Sequence, residues 1–298
     1  MKTKLNIFYI LSALLFTGIF AIAAHNNSIS SPKDNKFISI AKLLEEKKLS
    51  VKIYGTGGYQ ENCIEFDLKN TDHDTVFIII EAGRRLISKD TSLQDIFIVK
   101  EQKLFLAPNQ RLKIPGYGFC CEASMHSPTD SSIFGIGFMA PPDWIKLAQV
   151  INRNNFPAEA VQSAVWVISD NNSIASIYYE KMEEIDSLLK TVASIKGVEI
   201  PKYNIIYEKD TAMVCSQRPE RVKGNIDYVV RSNVMITINV RNKNGRLMKN
   251  LVPEGATQGP GTYNYKYDID VKGWPKGEYE IYIYEDYSRL IKKSKFEI

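Results

Sequence analysis

Four cysteines and three histidines are the residues of this chain best suited to chemistry: Cys63, Cys120, Cys121 and Cys215, with His25, His73 and His126. No C-x-x-C pair occurs, and a four-ligand zinc site would have to recruit nearly every candidate in the chain, so no metal or cofactor is expected. Cys121 and His126, five apart, are the one spacing that suggests a thiol nucleophile beside a base, hence a cysteine hydrolase, but no third group to orient the base is evident. Disulfides are the simpler reading if the chain is exported. Adjacent strand residues point to opposite faces, so Cys120 and Cys121 belong to different surroundings. Strand parity places Cys63 and Cys120 on the same outer face, and a Cys63–Cys120 bond is the expected pairing. The acid pairs Asp72/Asp74 and Asp268/Asp270 read as turn residues, since neither sits in a twelve-residue calcium loop. Gly55-Thr56-Gly57-Gly58-Tyr59 reads as a loop between strands, because no Lys-Ser/Thr or helix follows to hold phosphate.

A second chemistry comes from Val161-Gln162-Ser163-Ala164-Val165-Trp166. This stretch resembles the Q-x-A-x-W segment of bacterial thioester adhesin domains, with Val161 where that pattern has Thr. The resemblance implies that a Cys thiol and the Gln162 side chain condense to an internal thioester that traps amines on a surface. Read without it, the segment is an amphipathic helix whose Val161, Ala164 and Val165 face a core and whose Gln162 is solvated.

The first residues read as an address. Lys2 and Lys4 precede an uncharged run from Leu5 to Ile22, which ends in the A-x-A site Ala21-Ile22-Ala23. That order is a secretory signal over residues 1–23. Export to the periplasm, the outer surface or the medium is expected, with no membrane anchor after cleavage. The formal net charge is +4 overall, from 38 Lys+Arg against 34 Asp+Glu, which gives no electrostatic argument for nucleic acid. With 44% hydrophobic and 11% aromatic residues, the chain can close ordinary cores and is not a disordered tail.

The elements that must position these groups follow from periodicity. Residues 24–50 read as a polar leader and a short helix at Phe37–Lys48. In residues 51–200, Ile64, Phe66 and Leu68 alternate with charged residues as in a half-buried strand, and Val76–Ile80 reads as buried on both faces. Further short strands are expected at Ile96–Val99, Lys103–Leu106, Arg111–Ile114 and Tyr117–Ala123. Three helices come next: one after Pro141-Pro142, one opened by Phe156-Pro157, and one over Tyr179–Lys196 stopped by Gly197. From 201 to 298 strands return with 10 of the 16 tyrosines. Ile236, Ile238, Val240, Leu247, Leu251, Ile281 and Ile283 form the expected inward set, and Asn244-Gly245 reads as a type I′ hairpin turn. The fold class is mainly β with a helical segment (α+β), as two Ig-like sandwiches separated by about three helices.

Residues 222–298 carry a further resemblance. Ile236–Val240 followed by Gly245-Arg246-Leu247, then Gly261-Thr262-Tyr263, then Pro275-Lys276-Gly277-Glu278-Tyr279, resembles the Ig-like domain of flagellar hook-capping proteins and the related C-terminal sorting domain of type IX secretion. It implies a sandwich that places the protein, or a contact with secretion machinery. The function expected is that of a non-enzymatic envelope or extracellular protein binding another protein or a surface glycan.

Overall fold

The structure, a computed structural model, describes residues 36–208, 216 and 218–298. The expected signal sequence, most of the polar leader and Cys215 lie outside the described residues. The first half contains β1 (Ile38–Ser39), α1 (Ile40–Glu45), β2 (Leu49–Gly55), β3 (Gln60–Asn70), β4 (Val76–Ile80), β5 (Arg84–Ser88), β6 (Ile96–Ile98), β7 (Gln102–Leu106), β8 (Arg111–Cys120) and β9 (Ile133–Met139). Six of these strands close on themselves in the order β2-β3-β8-β6-β5-β9, with β2 pairing back to β9. The other three form a separate sheet in the order β1-β4-β7.

The first module is therefore a closed barrel with a small sheet beside it, where the periodicity had suggested an open sandwich. Glycine permits the closure. A Cβ on Gly116 would stand 2.5 Å from the Phe66 ring, and one on Gly118 2.5 Å from Ile96 Cγ2, so at these two positions β8 has no room for a side chain. Phe66, Ile64 and Leu68 are fully buried inside, as their alternation predicts. Strand β4 departs from expectation. Val76, Ile78 and Ile80 are buried, whereas Phe77 and Ile79 are half-covered, so this run has one core face and one partly open face. Phe77 fills that outer face with Phe37 and Phe105 at ring separations of 5.9 and 6.1 Å.

The helical segment consists of α2 (Pro142–Arg153), α3 (Ala158–Ser169) and α4 (Asp186–Lys196), with short 3-10 turns at Ile174–Ser176 and Met182–Ile185. Proline opens α2 at its first turn, and Pro157 sits immediately before α3. Helix α4 begins later than its apolar spacing suggested, because Met182–Ile185 winds as a 3-10 turn, and it stops at Gly197 with φ of 65°. The three helices share one core cluster with Phe97, Val99, Phe119 and Cys121 of the barrel wall. Among the described residues no helix is long and apolar enough to cross a membrane.

The last hundred residues form β10 (Tyr203–Tyr207), β11 (Pro219–Val230), β12 (Val234–Asn242), β13 (Leu247–Gln258), β14 (Gly261–Asp270), β15 (Glu278–Glu285) and β16 (Arg289–Glu297). They make a three-stranded sheet, β10-β11-β14, and a four-stranded sheet, β13-β12-β15-β16, whose inner faces enclose one core of Val222, Ile226, Ile236, Ile238, Val240, Ile281 and Ile283. Leu247 is a correction: it is 47% exposed at the start of β13, where register shifts against β12 turn it outward. The hairpin turn differs as well. Only Gly245 has positive φ, at 78°, and its N–H donates to the Asn242 carbonyl oxygen at 2.8 Å. A turn with one left-handed glycine at its end matches the three-residue loop with a bulge, not the type I′ turn, which needs two positive-φ residues.

Candidate functional site

Strand β8 ends at the cysteine pair, and the two side chains part there as the strand geometry requires. Cys120 joins the barrel interior with Cys63, Ile96 and Ile98, while Cys121 joins the helical core. All three described cysteines are unbonded thiols and are 0 to 2% exposed. The expected Cys63–Cys120 disulfide is not formed, and the outer-face parity behind it was wrong. A bulge between Glu61 and Ile64, with Glu61 at φ of 60°, shifts the strand by one residue and turns Cys63 inward beside Ile64. Its thiol donates to the Gly118 carbonyl oxygen at 3.4 Å.

Burial sets the thiols' chemistry. It pushes the Cys63 thiol up to about 12 from an ordinary 9.0, and raises Cys120 and Cys121 as well. The Arg85 guanidinium opposes the rise at Cys121 without reversing it. The Cys121 thiol donates to the Asp95 carbonyl oxygen at 3.4 Å. A hydrolase nucleophile needs a thiolate at working pH, and this surrounding supplies the opposite condition.

A polar cluster clamps the chain just past the pair. Arg85 Nη2 bonds Asp95 Oδ2 at 2.5 Å and Glu122 Oε1 at 3.3 Å, with its guanidinium 5.5 Å from the rings of both Phe138 and Trp144. Gln94 Oε1 accepts from the Glu122 N–H at 3.2 Å and from the Trp166 indole at 3.4 Å. The Ala123 N–H donates to Asp170 Oδ1 at 2.8 Å, which ties the segment to the end of α3. Burial raises the Asp170 carboxyl, against its hydrogen bonds from Ser169 and Ala123. These contacts fix how α3 lies across the end of β8.

That placement brings Gln162 onto Cys120. Gln162 is 2% exposed, where an ordinary amphipathic helix would have left it in water. The side chain turns inward because α3 is covered on nearly every side: Ala160, Val161, Ala164, Val165, Trp166 and Val167 are buried too. Gln162 Nε2 donates to the Cys120 carbonyl oxygen at 2.7 Å, while Oε1 is buried and has no hydrogen-bond partner. An unpaired buried amide oxygen costs about 1–3 kcal/mol, so its retention calls for an explanation.

Gln162 lies at a cleft of about 250 Å³ whose walls include Tyr59, Gln60, Trp166, Ser176 and Tyr178. Gln60 Oε1 and Ser176 Oγ are also buried without a partner, so three of the residues lining the cleft keep an unpaired polar atom beneath its surface. Glu159 and Glu208 stand at its rim. Burial, and then the Glu159 charge, holds the Tyr59 phenol above its ordinary 10.0, so it stays a hydrogen-bond donor at neutral pH. Cys120 lies just beneath, its N–H donating to the Tyr59 carbonyl oxygen at 2.9 Å. Of the candidate site residues, Gln162 lines the cleft; Cys120 meets it through its backbone carbonyl while its thiol packs into the barrel interior, and Cys121 faces the helical core. Tyr59 ends the stretch read as a glycine-rich loop, and Gln60, Ser176 and Tyr178 carry no motif; only the fold brings these four to Gln162.

No family model matches the chain, and no curated protein matches it. Among solved structures, the chain is similar to the CBM51-2 and INT domains of Clostridium perfringens ZmpB in complex with GlcNAc. The identity there is 12%, over 84% of this chain and 79% of that one, with a TM-score of 0.18. It is also similar to the β-glucosidase of Kluyveromyces marxianus at 8% identity, over 79% of this chain and 44% of that one, again with a TM-score of 0.18. Scores this low carry no argument about fold or function.

Proposed function

We propose that this chain is an exported, non-enzymatic binding protein that holds its ligand in the cleft over Gln162 and fixes it there covalently. The observation that carries the reading is the buried Gln162 amide bonded to the Cys120 backbone carbonyl with its own oxygen unpaired. In the reaction proposed, Cys120 Sγ attacks Gln162 Cδ, the C–N bond breaks, and the amide nitrogen leaves as ammonia carrying the thiol proton. An amine on the ligand then attacks the thioester carbonyl, the C–S bond breaks, and the thiol recovers a proton. A thiol kept protonated by burial is a slow nucleophile. Bringing it against the amide, whose Nε2 already bonds the Cys120 backbone carbonyl, would offset this, since well-oriented intramolecular reactions reach effective molarities of about 10⁵–10⁸ M. The same burial shields a thioester from water.

The test is the intact mass of the purified protein. It should be lighter than the mature sequence by one ammonia, and incubation with methylamine should add one methylamine. Cys120→Ala and Gln162→Ala should abolish both changes, and Cys121→Ala should abolish neither. A native mass equal to the sequence, with no methylamine uptake, removes the covalent step.

A second reading, reversible binding of a hydroxyl-rich ligand, is supported by the same cleft, because walls that combine the Tyr59, Trp166 and Tyr178 rings with Gln60, Ser163 and Ser176 suit a surface glycan. We infer for residues 222–298 an Ig-like module that places the protein, either permanently or as a type IX sorting signal. A reporter carried behind a signal peptide and fused to these residues should cross the outer membrane of a type-IX-competent cell in the sorting case and stay in the periplasm in the other.

A further inference from the structure

We propose that a second groove, beside the cleft and independent of whether Cys120 and Gln162 condense, binds an acidic glycan. This groove, of about 570 Å³, is lined by Tyr178, Lys202, Asn204, Lys223, Lys266 and Tyr267. Lys202 and Lys266 are exposed, and among the described residues neither has a carboxylate within ion-pair distance. Lys223 Nζ lies 5.6 Å over the Tyr178 ring and 3.6 Å from Asp268 Oδ2. That one carboxylate is already matched by Arg221, whose Nε and Nη2 each reach it at 2.7 Å. Three lysines and one carboxylate, Asp268, therefore line one groove, and that carboxylate is shared with Arg221, in a protein whose overall charge is only +4. Such a local field recruits an anion in a salt-dependent way.

The groove's other features favour a sugar over a bare polyanion. Gly224 opens it: a Cβ there would stand 2.4 Å from Tyr267 Oη and 2.9 Å from the Lys202 carbonyl oxygen, so only glycine lets Tyr267 lie across β11. Asn204 Nδ2 is held by the carbonyl oxygens of Ala175 and Ile177 at 3.3 and 3.2 Å, which leaves its Oδ1 to accept from a hydroxyl. An aromatic ring, an amide acceptor and ammonium groups together match the CH face, the hydroxyls and the carboxylate or sulfate of an acidic sugar. Tyr178 lines both this groove and the cleft, so a glycan chain lying here runs toward Gln162.

The experiment uses the mature chain in a biolayer assay with four probes: polygalacturonate, dextran sulfate, neutral dextran and poly-glutamate. Both acidic polysaccharides should bind, with affinity falling as salt rises. Neutral dextran should not bind, and poly-glutamate should bind at least about tenfold more weakly. The double variant Lys202→Glu/Lys266→Glu, at exposed positions that leave the fold intact, should lose about tenfold or more for polygalacturonate. Lys243→Glu/Lys276→Glu, at exposed sites elsewhere on the last module, should stay within about twofold. Equal binding of poly-glutamate or of neutral dextran, or full binding by the first double variant, would overturn the proposal.

Discussion

Replacing Gln162 by glutamate tests the buried amide directly, because the outcome depends on pH with a sign the structure fixes. The comparison is made in a Cys120→Ala background, so that no thioester contributes. Gln162 Nε2 gives its hydrogen to the Cys120 carbonyl oxygen at 2.7 Å in a site 2% exposed. A protonated carboxyl can make the same donation; a carboxylate cannot, and it would set two acceptors against each other with Glu159 one turn away. The introduced acid should therefore have a folded pKa above its unfolded value of about 4.3. A raised carboxyl pKa means that the folded state holds the proton longer. Stability is then retained below the unfolded pKa and lost as pH rises through the folded one. A rise of about two units corresponds to about 2.7 kcal/mol. Urea unfolding under reductant should show Gln162→Glu within about 1 kcal/mol of its parent at pH 5 and about 3 kcal/mol below it at pH 8. A difference that is the same at both pH values would mean that the side chain reaches water, and would refute the buried placement.

Gly118→Ala should destabilise the barrel by about 1–3 kcal/mol, because the new Cβ would meet Ile96 Cγ2 at 2.5 Å; an unchanged urea midpoint would contradict the closure argument. Arg111 holds the Asp67 carboxyl below its ordinary 3.8 through a paired hydrogen bond, a contribution present above that value and lost as pH falls through the lowered one. Arg111→Met should accordingly move the acid-unfolding midpoint to higher pH while changing stability at pH 7 by no more than about 1 kcal/mol. In a Cys215→Ser background, Cys63, Cys120 and Cys121 should resist iodoacetamide at pH 8 in the folded protein and label fully in urea. Rapid labelling of Cys121 in the folded state would favour the hydrolase reading.

Local patterns decided much of this protein. Proline at the helix starts, Gly197 at the end of α4, and the alternations at Ile64–Leu68 and Ile236–Val240 reappear as read, because each is set by backbone freedom or by a strand's two faces within a few residues. The α+β class follows from the same signals. Ring closure of the first module did not, since nothing in β2 or β9 says that they pair across about eighty residues, and a barrel strand alternates just as a sandwich strand does. Parity at Cys63 failed on the one-residue bulge at Glu61, and Leu247 failed on register shifts, both of which arise from pairing with a partner strand. Gln162 shows the division most plainly. Its motif marked it as a residue that could react, but whether it faced water or Cys120 depended on how α3 lies across β8, and that is settled by packing between elements far apart in the chain.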